Sequence, residues 1–406
     1  APAPADIAGS IDVSTWAGGS QLAWWEDGVR RFEEKHAPAR ATLIRPPTGT
    51  AYPAMLIAMT AAGTPPDVLW VNNDQVAQFA SQDLVQALES FINRDKRDLG
   101  AYYPFGLRVY QFQGKQVCIP ESLNPMGIFI NRTLFEQAGV PLPTRSFRDS
   151  AWTADDLLEA AKKLTRSTQA GKQFGFMVDN WIGRWFPFLW GNGGDAFDDA
   201  NNPKRFTFVS PQTEQTLQWL VDLKTRHQVS PQPAELQGTS MATLFAEGRL
   251  AMRLDGIWVM PELDQVEGLK WDVVPVTRGP AGRFTRMAGA GLGLHPGSKN
   301  KETAWAFVKF LSGPEAPPLT RDITVKIPPV KAAAESARFM DWLPAETKKL
   351  WLEAHEYSKI QAHHLKWQDV MEGDGARKFY TEALNGERPV KDALEQVKTH
   401  AQAHLQ

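Results

Sequence analysis

At 406 residues the chain is long enough for two domains, and 43% hydrophobic with 22% charged residues is a globular composition. A net charge of −2 with no basic stripe excludes nucleic acid as a partner, because phosphate neutralisation needs clustered Lys and Arg. No run of about 18 apolar residues occurs, so no segment reads as a membrane-spanning helix.

Ala1-Pro2-Ala3-Pro4-Ala5-Asp6 reads as the sequence left after cleavage of a signal peptide at a small-residue site, with no cysteine for a lipid anchor. The protein is therefore expected to be exported to the periplasm. Alternation of Ile11, Val13 and Thr15 predicts a strand running to Trp16. Gly18-Gly19 breaks it, and Ser20 is placed to cap a helix carrying Trp25, Val29 and Phe32 on one face. A strand over Ala41 to Ile44 follows, then a helix with Met55, Met59 and Ala62 that stops at Gly63. Asp67 to Val71 reads as a buried strand ending in Asn72-Asn73-Asp74. This β/α alternation predicts a mostly parallel sheet with helices on both faces, and ligands on such sheets sit beyond the strands' carboxyl ends.

The middle of the chain has another character. Gln116 to Pro120 and Gly127 to Asn131 read as apolar strands around Glu121-Ser122-Leu123-Asn124-Pro125. The lone Cys118 allows no internal disulfide, and its flanks predict a buried small side chain. Thr153 to Asp156 forms a capping box before Leu157, Leu158, Ala161 and Leu164, and Ser210-Pro211 opens a helix with Leu217, Leu220 and Val221. Asp179 to Asp199, rich in Trp, Gly and Asn, reads as loop and short helix. Phe245 to Trp258 is the most informative stretch: a helix stopped at Gly248, an apolar strand, then a glycine turn that presents a tryptophan. The β/α pattern returns with strands at Trp271 to Pro275 and Ala288 to Leu294, and Asn300 is placed to cap a helix carrying Ala304, Phe307, Val308 and Leu311. The last ninety residues are largely helical in pattern.

Several chemistries lack their spacing. The eight histidines form no metal-binding motif, and the adjacent His363 and His364 diverge on a helix. Gly289, Gly291 and Gly293 lie inside a strand and do not make a dinucleotide loop. Asp195, Asp198, Asp199 and Asn201 lack calcium-loop spacing. No Walker loop and no nucleophile elbow occur, so neither cofactor nor metal is expected.

In order along the chain, four motifs resemble the extracellular solute-binding proteins of ABC importers, in the carbohydrate-binding group that includes maltose-binding protein. Asn131 to Val140 is similar to that family's Asn-x-x-Leu-Phe-x-x-Ala-Gly segment, with Ile130 in place of a tyrosine. Phe245, Gly248, Ala251, Met252, Gly256 and Trp258 match its Phe-x-x-Gly-x-x-Ala-Met…Gly-x-Trp pattern. Gly289 through Gly313 resembles its Gly-Gly strand and following helix, with Ala290 for the second glycine. Leu384-Asn385-Gly386 with Ala393-Leu394 resembles its C-terminal signature. Pro328-Pro329 stands where the family has a proline, although Val325-Lys326 replaces the preceding Gly-Tyr.

The resemblance implies an α/β fold of two lobes, with mostly parallel sheets flanked by helices. Lobe one would comprise residues 1–118 and 262–311, lobe two residues 122–258 and 320–406, with hinge crossings near 119–124, 258–263 and 312–319. It implies capture without catalysis: a monomer that closes on a small carbohydrate in an interdomain cleft and delivers it to inner-membrane permease subunits. Sugars need flat aromatics for their C–H faces and dense hydrogen bonding for their hydroxyls. The residues placed to supply these are Trp16, Gln21, Asp74, Asn124, Asn180, Trp181, Arg184, Trp185 and Trp258. Gly289 and Ala290 would permit close backbone approach, and His364 and Trp367 could reach the cleft. Trp24, Trp25, Trp70, Trp219 and Trp305 lie on apolar faces and read as core. Arg321 or Lys326 could instead meet an anion, which keeps a phosphorylated polyol or phosphodiester as an alternative ligand; a two-carboxylate glycosidase is a more distant one.

Overall fold

The computed structural model describes residues 7–47, 51–169, 171–236, 238–316, 326–336, 339–372 and 374–405, with only the backbone of Ser20. The expected leader remnant Ala1–Asp6, Arg321, Val325 and the end of the 312–319 crossing lie outside them. The described strands are β1 (Ser10–Ser14), β2 (Arg40–Ile44), β3 (Val68–Asn72), β4 (Gln111–Phe112), β5 (Lys115–Gln116), β6 (Cys118–Pro120), β7 (Asn124–Asn131), β8 (Arg166–Thr168), β9 (Gly171–Phe176), β10 (Leu250–Gly256), β11 (Trp271–Val274), β12 (Thr285–Ala288), β13 (Ala290–Leu294) and β14 (Ser358–Lys359). The chain divides into unit 1, residues 1–124 and 288–342, and unit 2, residues 125–287 and 343–406.

Unit 1 is built on a five-stranded sheet in the order β2-β1-β3-β13-β6. β1 runs parallel to β2 and β3, as strand-helix-strand succession requires. β13 enters between β3 and β6 and is antiparallel to both. The helix Gly19–Lys35 starts one residue before the expected cap: Gly18 occupies the N-cap position and Ser20 is already helical. Its Trp24, Trp25 and Phe32 are fully buried, and they pack in one core with Trp70, Trp305 and Phe307. Asn300 precedes the helix Lys301–Leu311 but does not cap it; its amide donates to Ser10 O at 2.7 Å. Cys118 lies buried in β6, and burial pushes its thiol pKa well up.

Unit 2 is built on β14-β12-β7-β10-β9-β8, with β11 also paired to β7. β7 is buried along nearly its whole length, so it draws partners on both edges. β10 and β11 are both antiparallel to it, and β10 is parallel to β9. β14 is parallel to β12. The sheets are thus mixed: parallel at the β/α start of the chain and in the β9–β10 and β12–β14 pairs, antiparallel where β13 joins β3 and β6 and where β10 and β11 join β7. Residues 262–287, read as lobe one, fold with unit 2 because β11 pairs with β7. Residues 326–342, read as lobe two, fold with unit 1.

Two helix starts in unit 2 form as read. Thr153 and Asp156 complete a reciprocal capping box, and Ser210 accepts from Thr213 N with Pro211 in the first turn. The helix Met241–Ala246 ends at Gly248, whose φ of +69° is a left-handed stop. The core centres on Trp185, Phe186, Trp190, Phe135, Leu217 and Tyr380.

Candidate functional site

In unit 2, β10 ends at Gly256 and delivers Trp258 into a one-turn helix, Ile257–Val259. Trp258 is half-buried against the core, and its six-membered ring lies over the Gly256 α-carbon, where any β-carbon would overlap it. Trp181 repeats the arrangement. It is half-buried, and a β-carbon on Gly183 would come within 2.6 Å of its ring. Each tryptophan is thus seated by a glycine that leaves room for it.

A charged network ties the two together. Asp179 accepts from Trp181 N at 2.6 Å and from Arg184 at 3.0 Å. Arg184 also donates to Asp255 at 3.2 Å, and Asp255 accepts from Gly256 N at 2.9 Å. Arg253, two residues along β10 and on the same face, pairs with Asp255 as well. The Arg184 and Arg286 guanidinium carbons lie 5.2 and 5.0 Å from the Trp181 ring centroid, and Arg286 donates to Gln361 at 2.9 Å. Asp255 is fully buried, and Arg253 and Arg286 nearly so. Lys224, also buried, faces Asp179; burial lowers its pKa, and Asp179 opposes the shift. The network holds donors and acceptors in fixed positions with its charges already paired.

Unit 1 presents a second aromatic feature. Trp16, just after β1, stacks on Trp70 with centroids 3.8 Å apart and planes 15° apart, and Tyr52 meets it edge-on at 5.0 Å. Tyr52 OH and Ser14 Oγ share a hydrogen bond of 2.7 Å. One face of Trp16 is covered by Trp70, and the residue remains partly exposed. Gln21 stands in the first helical turn after β1 and Asp74 in the turn after β3, both half-buried. Asn124 Nδ2 reaches Ser122 Oγ at 3.5 Å, while its buried Oδ1 has no hydrogen-bond partner among the described residues.

The other expected site residues are placed differently. Trp185 is 1% exposed and packs on Phe186, Phe208 and Tyr380, and Trp367 is 3% exposed against Phe186 and Phe197, so both are core. His364 stacks on Phe197 at 4.4 Å, and burial with Lys366 nearby lowers its pKa. Asn180 is exposed beside Trp181. The close approach at Gly289 belongs to the chain itself: a β-carbon there would meet Ser122 O at 2.5 Å, and Ala290 N donates to Ser122 Oγ. Lys326 is buried in an ion pair with Glu121. Of the residues read as core, Trp24, Trp25, Trp70 and Trp305 are buried, while Trp219 is half-buried at the core's edge. Sequence reading missed Asp179, Asp255 and Arg286. For Asp255 the signal was present, since Arg253 and Asp255 are two charges on one face of an otherwise apolar strand.

The match to the bacterial extracellular solute-binding protein family covers residues 17–316, and the chain belongs to that family. Its fold is that of the two-lobed binding proteins. It is similar to an ABC substrate-binding protein of Listeria monocytogenes, solved in complex with cycloalternan, at 25% identity over 97% of this chain and 98% of that one, with a TM-score of 0.85. It is 22% identical to the galactooligosaccharide-binding protein of Bacillus subtilis over 79% of this chain and 76% of that protein. Binding proteins of Brucella match at 21% identity over 62% of this chain, which spans 59% of their length.

Proposed function

We propose that this chain is the substrate-binding component of an ABC importer. In this reading it captures a carbohydrate, mono- or oligosaccharide, by hinge closure and delivers it to inner-membrane permease subunits. It acts as a periplasmic monomer and performs no chemistry on its ligand. The observation that carries the reading is the seating of Trp181 and Trp258 on glycines beside the Asp179–Arg184–Asp255 network. Half-buried rings suit the C–H faces of a sugar, and fixed, mutually paired polar groups suit its neutral hydroxyls. Trp16, Gln21, Asp74 and Asn124 add an aromatic and polar set on unit 1. The cycloalternan bound to the Listeria protein and the galactooligosaccharides for which the Bacillus relative is named favour the same class. At Arg184 and Lys326 an anionic ligand is disfavoured, since it would have to draw Arg184 from two carboxylates and Lys326 from Glu121.

Titration calorimetry of the full chain against neutral mono- and oligosaccharides and against polyol phosphates tests the reading. Micromolar or tighter binding of a neutral sugar, with a compaction visible by small-angle scattering, is expected. Binding of phosphorylated ligands alone would replace it with the phosphorylated-polyol alternative.

A further inference from the structure

Unit 1 contains a closed circuit of side chains behind Trp16. Trp70, the ring beneath Trp16, donates its indole N–H to Glu121 Oε2 at 3.3 Å. Glu121 is 2% exposed and is paired with Lys326, itself 7% exposed. The Lys326 ammonium lies 3.1 Å from the Trp24 ring centroid. Trp24 meets Trp25 edge-on at 5.8 Å, and Trp25 meets Trp70 edge-on at 5.1 Å, which closes the circuit.

The backbone is fixed at Glu121 and at the residue after Lys326. Glu121 N donates to Ala290 O, and Leu123 and Ile327 exchange two backbone hydrogen bonds of 3.0 Å. A buried ion pair is poor evidence of stabilisation, because desolvation offsets its attraction; an apolar pair of similar volume would serve the core as well. What an apolar pair could not do is accept the Trp70 N–H. Without that acceptor the indole plane is set by the edge contact of Trp25 and by the stack on Trp16, which is itself partly exposed and can turn with it.

We propose that Glu121, held in place by Lys326, is a positioning residue that fixes the plane of Trp70 and through it the orientation of Trp16 toward the ligand. The link to the ligand rests on the carbohydrate reading of Trp16; the link to ring orientation does not.

Two double variants of the full chain separate orientation from packing. Glu121→Gln/Lys326→Met removes both charges but keeps an amide oxygen for Trp70. Glu121→Leu/Lys326→Met removes the acceptor too. With 5-fluorotryptophan incorporated, the Trp16 resonance, assigned with Trp16→Phe, reports ring order without any ligand. The Gln/Met variant should keep the wild-type Trp16 resonance and a sugar affinity within about threefold. The Leu/Met variant should shift or broaden that resonance and lose roughly tenfold in affinity at a similar melting temperature. Glu121→Met/Lys326→Met, closer in shape to the native pair, also lacks the carboxyl or amide acceptor and leaves the Trp70 ring intact; it should behave like the Leu/Met variant, and it decides the matter should that variant fail to fold. An unchanged Trp16 resonance on loss of the acceptor overturns the proposal, as does an equal change in the Gln/Met and Leu/Met variants. If the wild type binds no sugar, the carbohydrate reading falls, while the resonance still decides the positioning role.

Discussion

Replacing Gly256 by alanine tests whether Trp258 is seated by the absence of a side chain. Gly256 has φ −96° and ψ 164°, an extended conformation that alanine adopts freely. The backbone therefore sets no penalty, and the reduced freedom of the unfolded chain favours the variant by about 0.4–1 kcal/mol. Space opposes it. The new β-carbon overlaps Cζ3, Cη2 and Cε3 of Trp258, so the indole must swing off its floor. A tryptophan buries about 150–250 Å² when enclosed, so a half-buried ring gives up on the order of 100 Å², or roughly 2.5 kcal/mol at about 25 cal/mol per Å². The net loss should be about 1–2 kcal/mol, and the melting temperature should fall by roughly 1–2 °C per kcal/mol for a chain of this length. Sugar affinity should fall about tenfold or more, because the stacking face leaves its position. The assay is a double-mutant cycle by thermal melting, with Gly256→Ala, Trp258→Ala and the pair. Once the ring is gone the three atoms nearest the new β-carbon are gone with it, so Gly256→Ala should be neutral or slightly stabilising in the Trp258→Ala background. Equal penalties in the two backgrounds would refute the reasoning.

Further outcomes follow from other sites. Asp255→Ala strands the buried Arg253 and removes one partner of Arg184, so a loss of about 3 kcal/mol or more is expected in denaturant titrations. Trp185→Phe should lower the melting temperature while leaving ligand affinity within about twofold, whereas Trp181→Ala should lower the melting temperature and also the affinity, by about tenfold; calorimetry distinguishes them. Burial pushes the Asp95 carboxyl up, but hydrogen bonds from Arg94, Lys309 and the Trp305 indole, with the Lys309 charge, outweigh it and hold the group well below the usual carboxylate range. A depressed carboxylate stabilises the fold above its unfolded pKa and loses that contribution as pH falls through the folded value. Asp95→Asn should therefore lower stability by about 1 kcal/mol at neutral pH, with the difference shrinking below about pH 4 in melts across pH. Cys118 should resist a thiol reagent in the native protein and react fully in denaturant; rapid native labelling would contradict its burial.

What could be read in the sequence was local. Alternation in β1, the apolar run of β3, the capping box at Thr153 and the stop at Gly248 each follow from residues within a few positions of one another. Partner choice was not local. Nothing in Trp271 to Val274 says that it pairs with β7, so that strand was assigned to the wrong lobe. Nor does an aromatic's neighbourhood tell which way it faces. Trp181 and Trp185 are four residues apart, at the two ends of one helical turn, yet one sits half-buried on a glycine and the other is enclosed by rings from three segments. At Gly289 the small residue was legible, but its neighbour was Ser122 rather than a ligand.

The place of β13 in unit 1 has a consequence for the order of events during folding. It lies between β3 and β6, yet it follows them in the chain by well over a hundred residues. Until residue 294 is available, β3 and β6 have no common partner and each leaves an open edge, the feature that invites wrong pairing between chains. Such long-range closure is slow, and its rate is set by the loop that must be brought together. An emerging or unfolded chain therefore passes through a long interval in which its first 120 residues hold every strand of that sheet except the one that joins them. A peptide spanning Ala290 to Leu294 would act during that interval as a competitor for the vacant slot.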